Sequence, residues 1–216
     1  MSALCYMIPD LSLIEDAVEV TFNIALCKFQ LRCVQAQLDR KDIITIAPTG
    51  AGKTLTFWIP LLFNNDGIVI LITALNGLGD QNIKELQQLG TSAVNLTGTN
   101  ATNNTIQGIK SHKYQVIIVS PELIINDWCF NDLWRARDFT AHLFNITIDE
   151  GHCISQWGKD FRPEYSQLSK LRWLLPPHVL FHVVSATLPA HILKDVSASL
   201  NMQHENTSMI RLSNDR

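Results

Sequence analysis

Five short apolar runs limit how this chain can fold. Residues 43–47, 68–73, 116–119, 144–148 and 180–184 are rich in β-branched side chains and apolar almost without interruption. A strand with one wet face alternates apolar and polar residues. Continuous runs of this length suit strands buried on both faces of a parallel sheet. Segments of helical character lie between them: residues 53–63, residues 81–89 ending at Gly90, residues 166–175 ending at Pro176-Pro177, and residues 190–200. The alternation predicts one α/β domain, with a mostly parallel central sheet and helices on both faces. Residues 1–20 read as a helical lead-in and residues 21–216 as the domain itself. The Thr- and Asn-rich stretch 98–108 reads as a loop with room for a helical turn, and residues 210–216 as a last strand.

Composition narrows the classes further. A chain of 216 residues, 46% hydrophobic and 17% charged, can bury a sizeable core. A net charge of -3 gives no basic field, so any nucleic-acid contact has to come from a local patch. The five cysteines, Cys5, Cys27, Cys33, Cys129 and Cys153, include no CxxC pair. They read as reduced thiols in an intracellular protein, with no zinc expected. The start of the chain lacks a basic segment, and Pro9, Asp10, Glu15 and Asp16 interrupt its apolar residues. It resembles neither a signal peptide nor a membrane span.

The first apolar run leads directly into Pro48-Thr49-Gly50-Ala51-Gly52-Lys53-Thr54. A buried strand, a glycine-containing loop and a helix form the setting of a phosphate-binding loop. Gly50 and Gly52 permit a tight turn whose backbone N–H groups face phosphate oxygens. Lys53 is expected to reach the β- and γ-phosphates and the Thr54 hydroxyl to ligate Mg²⁺. The fourth run ends on Asp149 and Glu150. Such a pair supplies one carboxylate to hold the ion through water and one to orient an attacking water. His152, taken alone, reads as a satisfied polar residue. Ser185-Ala186-Thr187 closes the fifth run with small hydroxyl side chains.

Taken in this order and spacing, APTGAGKT, DEGH and SAT resemble the first RecA-like domain of a superfamily 2 helicase. The stretch CISQWGKDFRPEY resembles the aromatic-rich loop of RecQ DNA helicases, whose pattern CISQWGHDFRPEY differs only at Lys159. The resemblance runs from about Phe22 to Arg216. It implies that Gln30, which precedes Lys53 by 23 positions, reads the adenine edge. The surrounding residues Leu26-Cys27-Lys28-Phe29 depart from the family's FRPG. Residues 73–81 resemble motif Ia and residues 119–122 motif Ib, the former lacking its usual Ser-Pro start. Gly151 stands where the family has Ala, a change expected to alter volume little, to loosen the backbone beside Glu150 and to slow hydrolysis.

In that comparison Trp157 and Phe161 stack on unpaired bases, each contact worth about 1–3 kcal/mol. Arg162 stacks or pairs with phosphate, Lys159 adds positive charge, and Gln156, His152, Ser185 and Thr187 couple DNA to the nucleotide. The implied activity is that of the ATP- and Mg²⁺-binding lobe of an ATP-dependent 3′-to-5′ DNA helicase of recombination and repair. Its partners would be single-stranded or partly duplex DNA and a second RecA-like lobe, with no membrane. Its location would be nuclear if the source is eukaryotic. Residues 212–216 resemble the junction to that second lobe, which supplies an arginine finger worth about 10³–10⁵ in rate. Alone, the lobe is expected to show little or no turnover. The alternative is a stand-alone helicase-like module that binds nucleic acid or protein without turnover.

Overall fold

The computed structural model describes residues 8–64, 66–73, 76–88, 90–156 and 163–212. Its strands are β1 (Asp42–Ile46), β2 (Ile68–Ile72), β3 (Ala93–Leu96), β4 (Val116–Val119), β5 (Leu143–Ile148), β6 (Leu180–Ser185) and β7 (Thr207–Arg211). They form one sheet in the order β3-β4-β2-β5-β6-β1-β7, and every pairing is parallel. Strands β1, β2, β4, β5 and β6 are buried at every residue, as continuous apolar runs require.

Twelve α-helices cover the described sheet: α1 (Leu11–Phe22), α2 (Lys28–Leu38), α3 (Leu55–Trp58), α4 (Asn76–Gln88), α5 (Asn103–Lys110) and α6 (Pro121–Asn126), followed by α7 (Trp128–Arg135), α8 (Arg137–His142), α9 (Cys153–Gln156), α10 (Pro163–Gln167), α11 (Leu171–Leu174) and α12 (Ala190–Ser199). Residues of α1 to α4 pack on the face carrying Val69, Leu71, Val116, Ile118 and Val184. The opposite face, with Ile70, Ile117, Ile146 and Phe181, packs against later helices. Ile14 and Val18 of α1 are fully buried in the first of these cores.

Several local readings change. The segment after the glycine loop becomes α3 and then a 3₁₀ stretch, Ile59–Phe63, because Pro60 removes an N–H from the helical ladder. The stretch read as a loop contains α5, whose N-cap Thr102 accepts from Thr105 N. Residues 166–175 divide among α10, a 3₁₀ turn (Leu168–Lys170) and α11.

At the start of β1, buried Asp42 accepts from Phe181 N at 2.8 Å and pairs with Arg172 Nη2 at 2.6 Å. Burial pushes its pKa up in spite of the guanidinium. Arg172 also donates to the Leu200 carbonyl and lies 4.0 Å above the Phe181 ring. One ion pair thereby fastens α11, β1, β6 and the end of α12.

His182 on β6 is fully buried, with Nε2 2.9 Å from Thr45 Oγ1 and its ring edge-on to Phe57. Burial pushes its pKa down to about 3. An unfolded chain takes up this proton near pH 6.5, whereas the folded chain resists until near 3, so stability falls as pH drops through that window. The expected slope below pH 6 approaches about 1.4 kcal/mol per pH unit from this group. Urea unfolding at stepped pH checks it: His182→Met should flatten the slope, and an unchanged slope would assign the acid sensitivity elsewhere.

Candidate active site

Parallel register brings the candidate residues to one edge of the sheet. Ile46 lies opposite Ser185 and Ile148 opposite Val183, so β1, β6 and β5 end side by side. In open parallel sheets, ligands occupy the crevice beyond the carboxyl ends of the strands.

The loop after β1 starts with Ala47 N donating to Ser185 O at 3.1 Å. Ala51 N then closes a turn onto Pro48 O, with Thr49 and Gly50 exposed at its tip. Gly50 and Gly52 have φ of 81° and 77°, a region that side chains disfavour. Space matters as well at Gly52, where a Cβ would come within 2.6 Å of Gln30 Nε2. Lys53 Nζ donates to Pro48 O at 2.9 Å, so its ammonium is held against the loop. Thr54 begins α3 without a side-chain capping bond.

Gln30 is buried beneath this loop. Its Nε2 donates to Gly52 O at 3.0 Å, and its Oε1 accepts from Cys27 N at 3.0 Å. The amide therefore joins the start of α2 to the loop, a contact that spacing alone does not reveal.

Asp149 follows β5, and its N–H donates to Ile72 O. Its Oδ1 accepts from Glu150 N at 3.0 Å. Burial pushes the Asp149 pKa up and the Glu150 charge adds to the rise, while Lys53 and His152 are among the groups that oppose it. Glu150 adopts φ of 51°, an uncommon conformation for a side-chain-bearing residue and the kind of strain that gathers at functional sites.

His152 Nδ1 lies 2.9 Å from Ser185 Oγ and 3.3 Å from Glu150 Oε2. Ser185 donates its only hydroxyl hydrogen to Thr187 O at 2.8 Å. It must therefore accept from His152, which puts the proton on Nδ1. His152 connects DEGH to SAT, a role that the sequence alone does not give it. Thr187 contributes a carbonyl to this chain, and its side chain is exposed.

Gly151 corrects an expectation. Its N–H donates to Val184 O at 2.8 Å, and an added Cβ would lie 2.2 Å from Val183 Cγ1. The glycine provides room for a β-branched neighbour on β6, and the one-methyl difference from Ala is not small in this setting.

Beneath the site, Gln37 donates to Thr56 O at 2.8 Å and accepts from Asn145 Nδ2 at 2.8 Å. Both side chains are fully buried, and they join α2, the start of α3 and β5. Asn145 leaves a signal in the sequence, a polar residue within an apolar strand, whereas α2 also carries exposed residues such as Arg32, and Gln37 leaves none. Trp157, Lys159, Phe161 and Arg162 lie outside the described residues, as does the side chain of Gln156 at the end of α9. The flanks are anchored: Cys153 and Ile154 are buried on one side and Tyr165 on the other. Glu164 accepts from Asn126 at 3.4 Å. A separate cavity of about 390 Å³ at the ends of β3 and β4 is lined in part by Ser120 and Glu122.

The fold is that of a RecA-like α/β domain, with the phosphate-loop sequence after β1 and the acids after β5, on the two sides of β6. The family model for DEAD/DEAH box helicases matches residues 27–196. The chain belongs to that family, as a RecQ-like helicase ATP-binding domain. It is 35% identical over 176 residues to the ATP-dependent DNA helicase Q1 of Rattus norvegicus, covering 79% of this chain and 28% of the relative. It is 33% identical over 180 residues to the probable ATP-dependent DNA helicase RecS of Bacillus subtilis, covering 82% and 35%. The chain thus spans about a third of the length of these relatives. The crystal structure of the DUF1998 helicase MrfA bound to DNA shares the fold, with a TM-score of 0.72 at 17% identity, over 98% of this chain and 31% of that one.

Gly151→Ala should overpack the contact with β6 and destabilise the fold by about 1–3 kcal/mol. Adding Val183→Ala removes the opposing methyl groups and should recover part of the loss. Chemical denaturation of the single and double variants measures this, and additive losses would exclude the contact.

Proposed function

We propose that this chain is the ATP-binding lobe of an ATP-dependent DNA helicase. The observation that carries the proposal is the register that sets the glycine loop after β1 and the acids after β5 on the two sides of β6, with Glu150 joined through His152 to Ser185. Residues 49–54 bind the phosphates, and Gln30 supports the loop through Gly52 and reads the adenine. Thr54 and Asp149 would hold Mg²⁺, Asp149 through water; a hydroxyl and a carboxylate suit this hard ion. Bound there, the ion would neutralise charge on the β- and γ-phosphate oxygens. Glu150 orients the attacking water. Trp157 and Phe161 stack on bases of single-stranded or partly duplex DNA, Arg162 and Lys159 meet its phosphates, and Gln156, His152, Ser185 and Thr187 relay that contact to the acids.

The relatives named as ATP-dependent DNA helicases support this reading. The activity is 3′-to-5′ unwinding in recombination and repair, in the nucleus if the source is eukaryotic. It uses a second RecA-like lobe, whose arginine raises turnover by about 10³–10⁵, so the present residues alone bind nucleotide and turn it over slowly.

Titration with ATP and GTP in Mg²⁺ tests the site. Lys53→Ala should lower affinity for both by at least about tenfold, since it removes a charge-assisted phosphate contact. Gln30→Ala should weaken both by loosening the loop, with a further loss for ATP that measures the adenine contact; equal losses would exclude that contact. DNA-stimulated hydrolysis should be weak in this chain and strong once a second lobe is joined. Rapid turnover by this chain alone would sink the two-lobe requirement, and absence of ATP binding would favour an interaction module without turnover.

A further inference from the structure

The opposite edge of the sheet carries a separate cluster that the nucleotide site does not use. His112 lies between α5 and β4, while Asp138 and His142 occupy α8 just before β5. A nitrogen from each imidazole and a carboxylate oxygen lie within 4.8 Å of one another. His112 Nε2 is 3.3 Å from Asp138 Oδ2, and the two imidazole rings are 4.2 Å apart between centroids. This grouping lies at the amino ends of β4 and β5, whereas Asp149 follows the carboxyl end of β5.

Three observations point to a ligand. First, His112 Nε2 is sealed from solvent and has no hydrogen-bond partner, although the carboxylate oxygen is close. A buried, unsatisfied ring nitrogen is costly, and an ion is one way to satisfy it. Second, His142 Nδ1 lies 2.8 Å from the Asp138 carbonyl. Donation there leaves a lone pair on Nε2, the arrangement by which an outer hydrogen bond prepares an imidazole to bind metal. Third, His112 has φ of 57°, at a helix end where Gly or Asn is the usual occupant. The chain bears this backbone cost and keeps an imidazole there.

We propose that His112, Asp138 and His142 form a binding site for a divalent transition-metal ion, Zn²⁺ in particular. Two imidazoles and one carboxylate favour Zn²⁺ over Mg²⁺, which prefers oxygen ligands alone. Metal–ligand distances of about 2.0–2.1 Å give a tetrahedral edge of about 3.4 Å. The His112–Asp138 separation already matches that edge. Asp138 is 78% exposed at its side chain and can turn to complete the remaining contacts. The fourth position falls to water or to Asp66, which lines the adjoining cavity of about 110 Å³ with both histidines. The bound ion clips α8 to the α5–β4 turn. The absence of a zinc motif among the cysteines does not bear on such a site, because none of its ligands is a thiol.

The test is titration of the full 216-residue chain with Zn²⁺ and with Co²⁺ as a spectroscopic substitute. One equivalent of Zn²⁺ should bind saturably and raise the melting temperature. Co²⁺ should give visible absorption of a tetrahedral or five-coordinate site, without a thiolate charge-transfer band. His112→Asn, which tolerates the left-handed backbone, and His142→Gln should each weaken binding by at least about tenfold. Circular dichroism of both variants verifies folding, and Asp138→Asn supplies a third, exposed position if one of them is unfolded. No saturable uptake by the parent chain would overturn the proposal. So would undiminished affinity in the folded variants, or a thiolate band in the Co²⁺ spectrum.

Discussion

Everything at the candidate active site depends on the register of three parallel strands. Ile46 opposite Ser185 and Val183 opposite Ile148 bring the glycine loop, the hydroxyl pair and the acids to one edge. A slip of one residue in β6 would invert its faces. Val183 would leave the core beneath Gly151, and Ser185 would lose His152. Burial on both faces makes such a slip costly, because His182 and Thr45 would lose each other in the interior. The same apolar continuity that identifies the strands therefore also fixes the alignment of the chemistry.

Below that edge, buried amides perform a task that apolar packing cannot. Gln37 has partners on α3 and β5, so the loop's following helix and the acid-bearing strand share one non-exposed hydrogen-bonding centre. Gln30 does the same between Cys27 and Gly52. Apolar contacts tolerate sliding, whereas a satisfied buried amide admits few geometries. The glycine loop is held both by its own contacts to Pro48 and by the Gln30 side chain of α2.

How far the sequence could be read follows the range of the interactions involved. The five central strands were legible because helices on both faces impose continuous apolarity. Edge strand β3 was not, since three of its four residues, Asn95 among them, are only half-buried and break the pattern. Helix α5 resembled a loop because Thr102, Asn103 and Asn104, good capping residues, open it. Helices α6 and α7 are short, and the caps Ser120 and Asp127 closely punctuate their apolar periodicity. Within the site, contiguous motifs were legible: Gly50 to Thr54, and Asp149 with Glu150. The partners of Gln30 and His152, and the reason for Gly151, lie 22, 33 and 32 positions away in sequence, where only the fold joins them.

The direction of the Ser185 hydrogen bond ties the end of β6 to the histidine beside Glu150. Ser185 donates to Thr187 O and accepts from His152, which in turn lies beside Glu150. A hydroxyl has one hydrogen to give. Displacement of the Thr187 carbonyl would free that hydrogen and make Ser185 a donor towards His152, so that the favoured imidazole tautomer reverses. Glu150, already held at φ of 51°, would then face a ring nitrogen without its proton. A small movement after β6 would then alter the environment of the acid that follows β5, with no rearrangement of the sheet.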